Sequence, residues 1–321
     1  MRAVVCSRLG DPSVLKIEER PIPTAGSTDV VVRVGAAGVN FPDILSVSGN
    51  YQHKPDLPFI PGVDGVGRLP AGRRVYFGIS RSPFGTFAEL APTANKMYLP
   101  LPEGIGDATA AGIANPAMSS WVALKMRAKF VAGESVLILG ATGTAGQLAV
   151  QIARRLGARR VVAAGRNPGA LEKLRELGAD VVISLDQEHD ALVSAFRREI
   201  AEAGVDIVLD YLWGPPAESV IEAISRKGLR TAGARVRFVQ IGEMAGKTIS
   251  LPAAALRSSG IELLGSGFGS ASMEQIWAAL AAFFDAAVQS PFRFEIRTAP
   301  LSDVETLWNS RETGARLVFQ P

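Results

Sequence analysis

From about residue 135 onward, short apolar runs alternate with stretches of helical periodicity. The apolar runs are continuous and rich in β-branched residues, and they cover residues 136–139, 161–164, 181–183, 207–209, 238–241 and 261–265. Helical periods lie between the first five of them, at 147–156, 170–177, 191–203 and 216–224. Buried strands that alternate with amphipathic helices are typical of a parallel sheet covered by helices on both faces. The pattern therefore predicts an α/β fold with a doubly wound parallel sheet.

The first part of the chain has a different texture, with short β-branched runs separated by Gly and Pro turn signals. The run at 30–34, for example, reads Val-Val-Val-Arg-Val. Short strands at this spacing predict a mostly antiparallel β-domain.

The end of the chain is expected to rejoin this first domain. A predicted helix at 272–287 is followed by two short apolar runs, at 294–296 and 316–319, which have the pattern of strands. We therefore expect a discontinuous first domain and an inserted second one. The predicted boundaries are residues 1–118 with 291–321 for the first domain and residues 119–290 for the second.

Composition and charge narrow the class of protein. The chain of 321 residues is 47% hydrophobic, and its 34 Lys and Arg residues against 31 Asp and Glu leave a net charge of +3. This near balance lacks the basic footprint that nucleic-acid binding needs. The most apolar stretch, at 277–288, is shorter than the roughly 20 residues of a membrane span, and the charged N-terminus does not resemble a signal peptide. We expect a cytoplasmic protein without nucleic-acid or membrane partners.

Residue types that bind metals tightly are scarce. The chain has one cysteine, Cys6, and two histidines. Structural zinc sites draw on four Cys or His ligands, and a single cysteine cannot form an internal disulfide. The sequence therefore predicts no metal site.

The strongest local signal is the turn that follows the apolar run at 136–139. It reads Gly-Ala-Thr-Gly-Thr-Ala-Gly over residues 140–146 and opens a predicted helix. Gly143 allows the backbone to approach a pyrophosphate, Gly146 allows close packing of helix on strand, and the free N–H groups at the helix start attract the anion. The turn predicts a dinucleotide site, although Ala141 stands where the usual fingerprint has its first glycine. The candidate contacts are Thr142, Gly143, Thr144, Ala145 and Gly146.

The end of the second apolar run indicates which dinucleotide binds. NAD enzymes usually place Asp or Glu there to hold the ribose hydroxyls, but this chain has Gly165, Arg166 and Asn167. Arg166 offers a cationic fork to a 2′-phosphate, with Asn167 beside it. The residues favour NADPH, while a solvated arginine at a strand end is the plainer alternative.

Several motifs resemble one enzyme superfamily. They are Gly-Val-Asn-Phe-Pro-Asp at 38–43, Gly-Asn-Tyr at 49–51, Leu-Pro-Phe-Ile-Pro-Gly-Val-Asp-Gly-Val-Gly at 57–67, Gly-Thr-Phe-Ala-Glu at 85–89, the glycine turn, Leu-Gly-Ala-Asp at 177–180 and Ser-Arg-Glu-Thr-Gly at 310–314. With the order of the domains, they resemble the medium-chain dehydrogenase/reductase superfamily, and within it the zinc-free NADPH:quinone oxidoreductase and zeta-crystallin branch. The resemblance implies a Rossmann NADPH-binding domain inserted in a GroES-like, mostly antiparallel β catalytic domain. It also implies a homodimer that pairs through the last strand of the parallel sheet, near 261–264.

The departures from the zinc enzymes of that superfamily bear on the chemistry. Those enzymes carry a ligand Cys where this chain has Asn40, and a His-Glu pair where it has Val63 and Asp64. Neither Asn nor Val is a plausible zinc ligand, so the resemblance implies a zinc-free site. The segment at 67–75 is also shorter than the usual hairpin, and Arg73 replaces an expected Asp.

The resemblance points to two catalytic candidates. Tyr51 matches a tyrosine that lines the active cleft of this branch and that is the proposed proton donor of related enoyl-thioester reductases. A phenol can donate a hydrogen bond or a proton to an enolate. Asn40, at the former zinc-ligand position, can hydrogen-bond substrate or ribose, and Asp43 is interpreted as structural. Two plainer interpretations stay open, in which Tyr51 packs over a loop and Asn40 caps one.

Four more residues match positions near the nicotinamide in the family. Asn115, followed by Pro116, resembles a pair that borders the nicotinamide in enoyl-thioester reductases; alternatively, it caps a helix that begins at 117. Gly242 follows the fifth predicted strand of the parallel sheet, and the segment that contains Ser266 and Phe268 follows the sixth. Glycines at these positions permit close backbone approach. Phe268 is then an apolar wall for the cofactor, or else a core aromatic.

A site without zinc restricts the reaction. Zinc stabilises an alkoxide as a Lewis acid, so without it the reducible bond must already be electrophilic, as in quinones and α,β-unsaturated carbonyls. The leading prediction is a zinc-independent, NADPH-dependent reductase of quinones or activated enones. The alternatives are a 2-enoyl-thioester reductase and, outside enzymes, an NADPH-binding zeta-crystallin-like protein without turnover.

Overall fold

The structure is a computed structural model, and it describes residues 1–10, 12–51, 54–78, 82–225, 235–308 and 315–321. The motif at 310–314 lies outside the described residues. The described strands are β1 (Arg2–Cys6), β2 (Leu15–Glu19), β3 (Asp29–Gly38), β4 (Asp64–Arg68), β5 (Arg74–Gly78), β6 (Leu90–Ala94), β7 (Tyr98–Pro100), β8 (Ser135–Leu139), β9 (Arg160–Gly165), β10 (Val181–Ser184), β11 (Ile207–Asp210), β12 (Arg235–Gln240), β13 (Gly260–Gly265), β14 (Ile296–Pro300) and β15 (Arg316–Gln320). The described α-helices are α1 (Phe41–Ser48), α2 (Asp107–Val122), α3 (Thr144–Arg155), α4 (Pro168–Glu176), α5 (His189–Ala203), α6 (Gly214–Ile224), α7 (Ala253–Arg257), α8 (Met273–Gln289) and α9 (Val304–Leu307).

The chain divides into two compact units. The first unit comprises residues 1–116 and 280–321, and the second comprises residues 117–279. The first unit is therefore discontinuous, with the second inserted in it. The boundaries at 118 and 290 that the sequence suggests stay predictions.

The second unit is built on a six-stranded parallel sheet in the order β10-β9-β8-β11-β12-β13. All six apolar runs form its strands, as predicted. The central strand β8 is buried along its whole length, because helices cover both faces of the sheet. Leu137, Phe196, Val208 and Phe238 are among the fully buried side chains of this core. The order reverses direction between β8 and β11, which is the topology of a doubly wound nucleotide-binding sheet.

The first unit contains a seven-stranded sheet in the order β14-β15-β3-β4-β5-β7, with β6 also paired to β3, and a separate β1-β2 pair. Every pairing except β14 with β15 is antiparallel, which confirms the mostly antiparallel prediction. The C-terminal strand β15 pairs with β3 in a register that places Val318 opposite Gly38. The predicted return of the chain end to the first domain is therefore confirmed.

The shortened segment at 67–75 forms a tight hairpin between β4 and β5. The Leu69 N–H donates to the Arg73 carbonyl oxygen at 2.9 Å and closes the turn. The Arg73 guanidinium lies 5.9 Å from the centre of the Tyr98 ring, within the range of a cation–π contact.

Helix α2 corrects the interpretation of Asn115 and Pro116. A helix that begins at 117 would make Asn115 its cap, but α2 already begins at Asp107 and Pro116 lies inside it. The alanine-rich first turns favour helix strongly enough to start it earlier. The proline removes one backbone donor, and the helix continues beyond it and then passes into a π-helical turn at Ala123–Arg127. Asn115 therefore lies in a helix interior.

No helix in the described part of the chain has both the length and the apolar character that a membrane crossing requires.

Candidate functional site

The loops that carry the predicted cofactor residues of the second unit gather at one edge of its sheet. Because all six strands are parallel, their carboxyl ends meet at that edge. The glycine turn follows β8, Arg166 follows β9, Gly242 follows β12, and Ser266 follows β13. Ligands of such sheets bind outside the carboxyl ends, where the strand order reverses. The fold thus brings these predicted residues to one place.

The glycine turn has the geometry of an anion site at the start of α3. A Cβ on Gly146 would lie 2.3 Å from the Gly140 carbonyl oxygen, so helix and strand approach too closely for any side chain. A Cβ on Gly143 would meet only that same oxygen, at 3.5 Å, and Gly143 is exposed. Gly143 is the N-cap and offers no side-chain acceptor to the helix. The first N–H groups of α3 are therefore available to an external anion.

At the end of β9, the structure separates the roles of three neighbours. Arg166 is exposed, and among the described residues it makes no hydrogen bond or ion pair. Asn167 caps α4, because its Oδ1 accepts from the Ala170 N–H at 3.0 Å. Packing also requires a glycine at position 165, which the sequence did not reveal, because a Cβ there would lie 2.5 Å from the Thr142 side chain.

The remaining candidates of the second unit line the same edge. The Gly242 N–H donates to the Asp210 carbonyl oxygen at 3.1 Å, and the Ser266 N–H donates to the Gln240 carbonyl oxygen at 2.9 Å. Phe268 is 64% exposed, so the interpretation of it as a core aromatic is wrong. An exposed ring at this edge is available to an apolar ligand face.

In the first unit, the carboxylate of Asp64 accepts hydrogen bonds from three side chains that are distant from one another in the sequence. Its Oδ1 accepts from Asn40 Nδ2 at 2.8 Å, and its Oδ2 accepts from the Tyr76 hydroxyl at 2.6 Å. The side chain of Asn115 also donates to it. Asn40 and Asn115, both singled out in the sequence, thus meet at one buried acid.

Asn40 is fully buried, and its carboxamide is engaged on both sides. Its Nδ2 also donates to the Gly38 carbonyl oxygen at 3.1 Å, while its Oδ1 accepts from the Arg316 guanidinium. Its backbone N–H donates to Asp43 Oδ2 at 2.7 Å in a capping box at the start of α1. This geometry makes Asn40 part of a buried network, and its predicted contact with substrate or ribose stays a prediction.

Burial shifts the pKa values of the acidic groups in this network. Desolvation is the largest cause, and it raises the pKa of Asp43 to about 7 despite the bond from Asn40. Desolvation also raises the pKa of Asp64 against the opposing hydrogen bonds from Tyr76 and Asn40. The Tyr76 hydroxyl has a pKa well above its usual value, because it is buried and lies beside Asp64.

Tyr51 lies just beyond the C-terminus of α1 and is half-buried. The helix ends at Gly49, which adopts the left-handed conformation with φ of 74°. The Tyr51 N–H then donates back to the Leu45 carbonyl oxygen at 3.0 Å. Its side chain makes no hydrogen bond with the residues that the structure describes, so the phenol is available as a donor.

Comparisons with known proteins agree with this architecture. Residues 26–103 match a model described as the alcohol dehydrogenase GroES-like domain, and residues 145–285 match one described as zinc-binding dehydrogenase. The chain is 31% identical over 239 residues to the quinone oxidoreductase of Lama guanicoe, covering 71% of each chain. The chain belongs to the quinone oxidoreductase-like branch of the medium-chain dehydrogenase/reductase superfamily.

Two further proteins are similar to this chain. The quinone oxidoreductase of Thermus thermophilus, also solved in complex with NADPH, superposes with a TM-score of 0.79 at 30% identity, over the whole of both chains. A mycocerosic acid synthase-like polyketide synthase of Mycobacterium tuberculosis is 33% identical over 248 residues. That match covers 73% of this chain but only 11% of the length of the synthase.

The name of one family model implies zinc, and the residues present do not fit that metal. Val63 has an aliphatic side chain, and the Asn40 carboxamide is held between Asp64 and the cationic Arg316. The part of the chain that the structure describes contains no group of three His, Cys, Asp or Glu side chains placed to hold a metal ion. Zinc favours thiolate, imidazole and carboxylate ligands in a tetrahedral set.

Sequence reasoning missed three members of the buried network and one acid of the second unit. Arg316 begins a run that was interpreted only as a strand, Asp64 was noted only for what it replaces, and Tyr76 was not singled out. Asp210 ends β11, where its Oδ1 accepts from the Leu212 and Trp213 N–H groups at 2.8 and 3.0 Å. Burial raises its pKa to about 6. A polar residue inside or directly beside an apolar run was the available signal for each of them.

We expect Asp43 to make folding stability fall as pH rises. Its pKa of about 7 in the folded state exceeds the ordinary value near 4, so its contribution is complete below pH 4 and is lost as pH rises through 7. Asp43→Asn keeps an acceptor for the Asn40 N–H and removes the titration. Urea unfolding at pH 5 and pH 8 gives the free energy of unfolding at each pH. The decrease in this free energy from pH 5 to pH 8 should be about 2–3 kcal/mol smaller in the variant than in the wild type.

The exposed Asp186 provides the control, because Asp186→Asn should leave that loss unchanged. An Asp43→Asn protein with the same pH dependence as the wild type would contradict the assignment.

Proposed function

We propose that this protein is a zinc-independent, NADPH-dependent reductase that delivers hydride to quinones or activated α,β-unsaturated carbonyls. The observation that supports the proposal is the combination of a glycine turn with unoccupied helix N–H groups in one unit and a hydrogen-bonded asparagine at the zinc-ligand position in the other. Membership of the quinone oxidoreductase-like branch supports the same reaction class.

The second unit supplies the cofactor contacts. The N–H groups at the start of α3 favour the pyrophosphate through hydrogen bonds and the helix dipole. Exposed Arg166 is free to pair with a 2′-phosphate, and it has no neighbouring carboxylate after β9 to repel that group. Gly242, Ser266 and Phe268 border the carboxyl edge where the nicotinamide half is expected. When bound, NADPH supplies the hydride.

Tyr51 is the residue we assign to the developing negative charge on the substrate. A reduced enone or quinone carries that charge on oxygen, and a phenol can stabilise it with a hydrogen bond or quench it with a proton. The Tyr51 hydroxyl, which no described residue binds, and the hydrogen bond from the Tyr51 N–H to the Leu45 carbonyl oxygen suit this role. Asn40 holds the start of α1, the helix that Tyr51 follows.

A 2-enoyl-thioester substrate is the second candidate. It is favoured by the similarity to a polyketide synthase, whose name points to acyl-chain chemistry, and by Tyr51 as a proton donor. An NADPH-binding protein without turnover is the outcome that a failed assay with retained NADPH binding would indicate.

The edge of the parallel sheet in the second unit bears on assembly. Strand β13 is the last strand of the parallel sheet, and Leu263 on it is 37% exposed. We infer a homodimer that pairs through this edge, because an unpaired strand edge attracts another chain. Location in the cytoplasm stays a prediction.

NADPH oxidation by the purified protein tests the function. We expect turnover with a para-quinone or an alkyl enone, unchanged after dialysis against a chelator, because Asn40 and Val63 offer zinc no ligand set. Enoyl-coenzyme A is assayed in parallel to distinguish the second candidate. Absence of turnover with all three, despite measurable NADPH binding, would refute the enzymatic proposal.

Arg166→Ala tests the cofactor preference. Loss of a charge-assisted hydrogen bond should raise the Kd for NADPH by about 10- to 100-fold, with little change for NADH, which lacks the 2′-phosphate. Fluorescence titration with both cofactors gives the two constants. Arg175→Ala, in the next helix and exposed, is the control. Equal losses for NADPH and NADH would mean that Arg166 does not contact the 2′-phosphate.

Tyr51→Phe tests the proton donor. An enolate needs a proton at carbon, and loss of a general acid typically costs about 10²–10⁴ in rate. A hydroquinone anion instead takes protons on oxygen, which water can provide. We expect kcat for enone or enoyl thioester to fall severely at saturating NADPH, while kcat for quinone falls modestly. Unchanged enone and thioester turnover would leave Tyr51 as a packing residue.

A further inference from the structure

Arg316 brings a positive charge into the buried network of the first unit. It is the first residue of β15, and its backbone N–H donates to the Glu295 carbonyl oxygen at 2.7 Å. The next residue, Leu317, accepts from the Val39 N–H at 3.0 Å. This pairing with the end of β3 places Arg316 beside Asn40.

The guanidinium of Arg316 binds one of the side chains that donate to Asp64, that of Asn40. One of its terminal nitrogens donates to Asn40 Oδ1, and Asn40 Nδ2 in turn donates to Asp64 Oδ1. The backbone N–H of Asn40 binds Asp43. Asn40 is therefore oriented by a cation on its oxygen side and an anion on its nitrogen side, which leaves its carboxamide a single arrangement.

The charges in this network require a cation. Asp43 and Asp64 are 1% and 3% exposed, and a buried carboxylate is costly unless it is paired and hydrogen-bonded. Arg316 acts on both, since its charge opposes the rise in the pKa of each. In the described residues, Asp43 Oδ1 and Arg316 Nε are buried atoms without a hydrogen-bond partner, so the centre depends on charge as well as on hydrogen bonds.

We propose that Arg316 is the resident cation of this centre, and that its guanidinium compensates the charge of Asp43 and Asp64 and orients the Asn40 carboxamide. Arg316 is then a positioning residue. Asn40 and Asp43 form the start of α1, and Tyr51 is bonded to Leu45 near the end of that helix. The consequence for Tyr51 rests on the proposed reductase function, whereas the charge compensation does not.

Chemical rescue tests the proposal. In Arg316→Ala, the two carboxylates lose their cation, and we expect the Tm to fall by about 6–20 °C, the range for an uncompensated buried charge in a unit of this size. Guanidinium chloride at low millimolar concentration should restore a large part of that Tm. Urea, a neutral molecule of the same shape, should not. Arg235→Ala, which removes an exposed ion pair with Glu262, is the matched control and should show neither effect.

Activity provides a second readout. We expect kcat for enone reduction to fall about 10-fold or more in Arg316→Ala and to recover with guanidinium, while the Kd for NADPH stays within about twofold, because the cofactor residues lie in the second unit. If Arg316 only stabilised the fold, the kcat of Arg316→Ala would not recover selectively with guanidinium. Recovery with guanidinium but not with urea therefore indicates a positioning role.

A variant that fails to fold does not leave the question open. Arg316→Lys retains the positive charge but not the planar guanidinium, and it should fold with an intermediate Tm. The double variant Arg316→Ala with Asp64→Asn removes the cation and one anion together, and it should be more stable than Arg316→Ala alone. The proposal is overturned if Arg316→Ala keeps the wild-type Tm, if urea and guanidinium act alike, or if the double variant is no more stable than the single one. Because Tm is measured without substrate, a wild type without reductase activity would defeat the proposed function and leave this test intact.

Discussion

Two buried carboxylates, those of Asp43 and Asp64, are the constraint on which the polar interior of the first unit depends. Burial removes them from bulk solvent, so each must obtain its hydrogen bonds and charge compensation from the protein. The start of α1 supplies Asn40, β5 supplies Tyr76, α2 supplies Asn115, and β15 supplies Arg316. Four elements that are distant in the chain are thereby held to one point.

The chain has the architecture of a family named for zinc, although the residues at the zinc-ligand positions do not fit that metal. A metal ion and a guanidinium both offer positive charge to acids and to a carboxamide oxygen, although only the metal acts as a Lewis acid toward substrate. In the reaction we propose, the remaining chemistry comes from an electrophilic substrate and a proton donor. We assign that donor role to Tyr51, which follows the other end of α1.

The second unit depends on a different constraint, the close approach of α3 to β8. The contact is permitted only because Gly146 has no side chain. It directs the helix N-terminus, and with it a set of free N–H groups, to the edge where the strands end. That arrangement is independent of the polar network of the first unit, so each unit's contribution can be tested separately.

Much of the second unit could be predicted from the sequence, because its signals are local. Apolar runs and helical periods between 136 and 265 predicted its six strands and four of its helices, and the turn at 140–146 indicated the cofactor site. The interpretation of Asn115 as a helix cap was wrong, because the alanine-rich stretch before it already forms helix. The packing of Gly165 against Thr142 was missed for a related reason, since contacts between separate loops leave no periodic pattern.

By itself, the sequence determined the fold class, the order of the two units, the dinucleotide turn and the absence of the usual zinc ligands, since each of these rests on neighbouring residues or on residue type. Only the tertiary structure decided that Asn40 is buried, that Asp43 and Asp64 lie close to one another, and that the Arg316 guanidinium binds the Asn40 carboxamide beside them. Asn40 and Arg316 are 276 positions apart. Their contact depends on the pairing of β15 with β3, which the sequence pattern does not reveal. The positive charge of Arg316 matters there because a buried acid without charge compensation is costly.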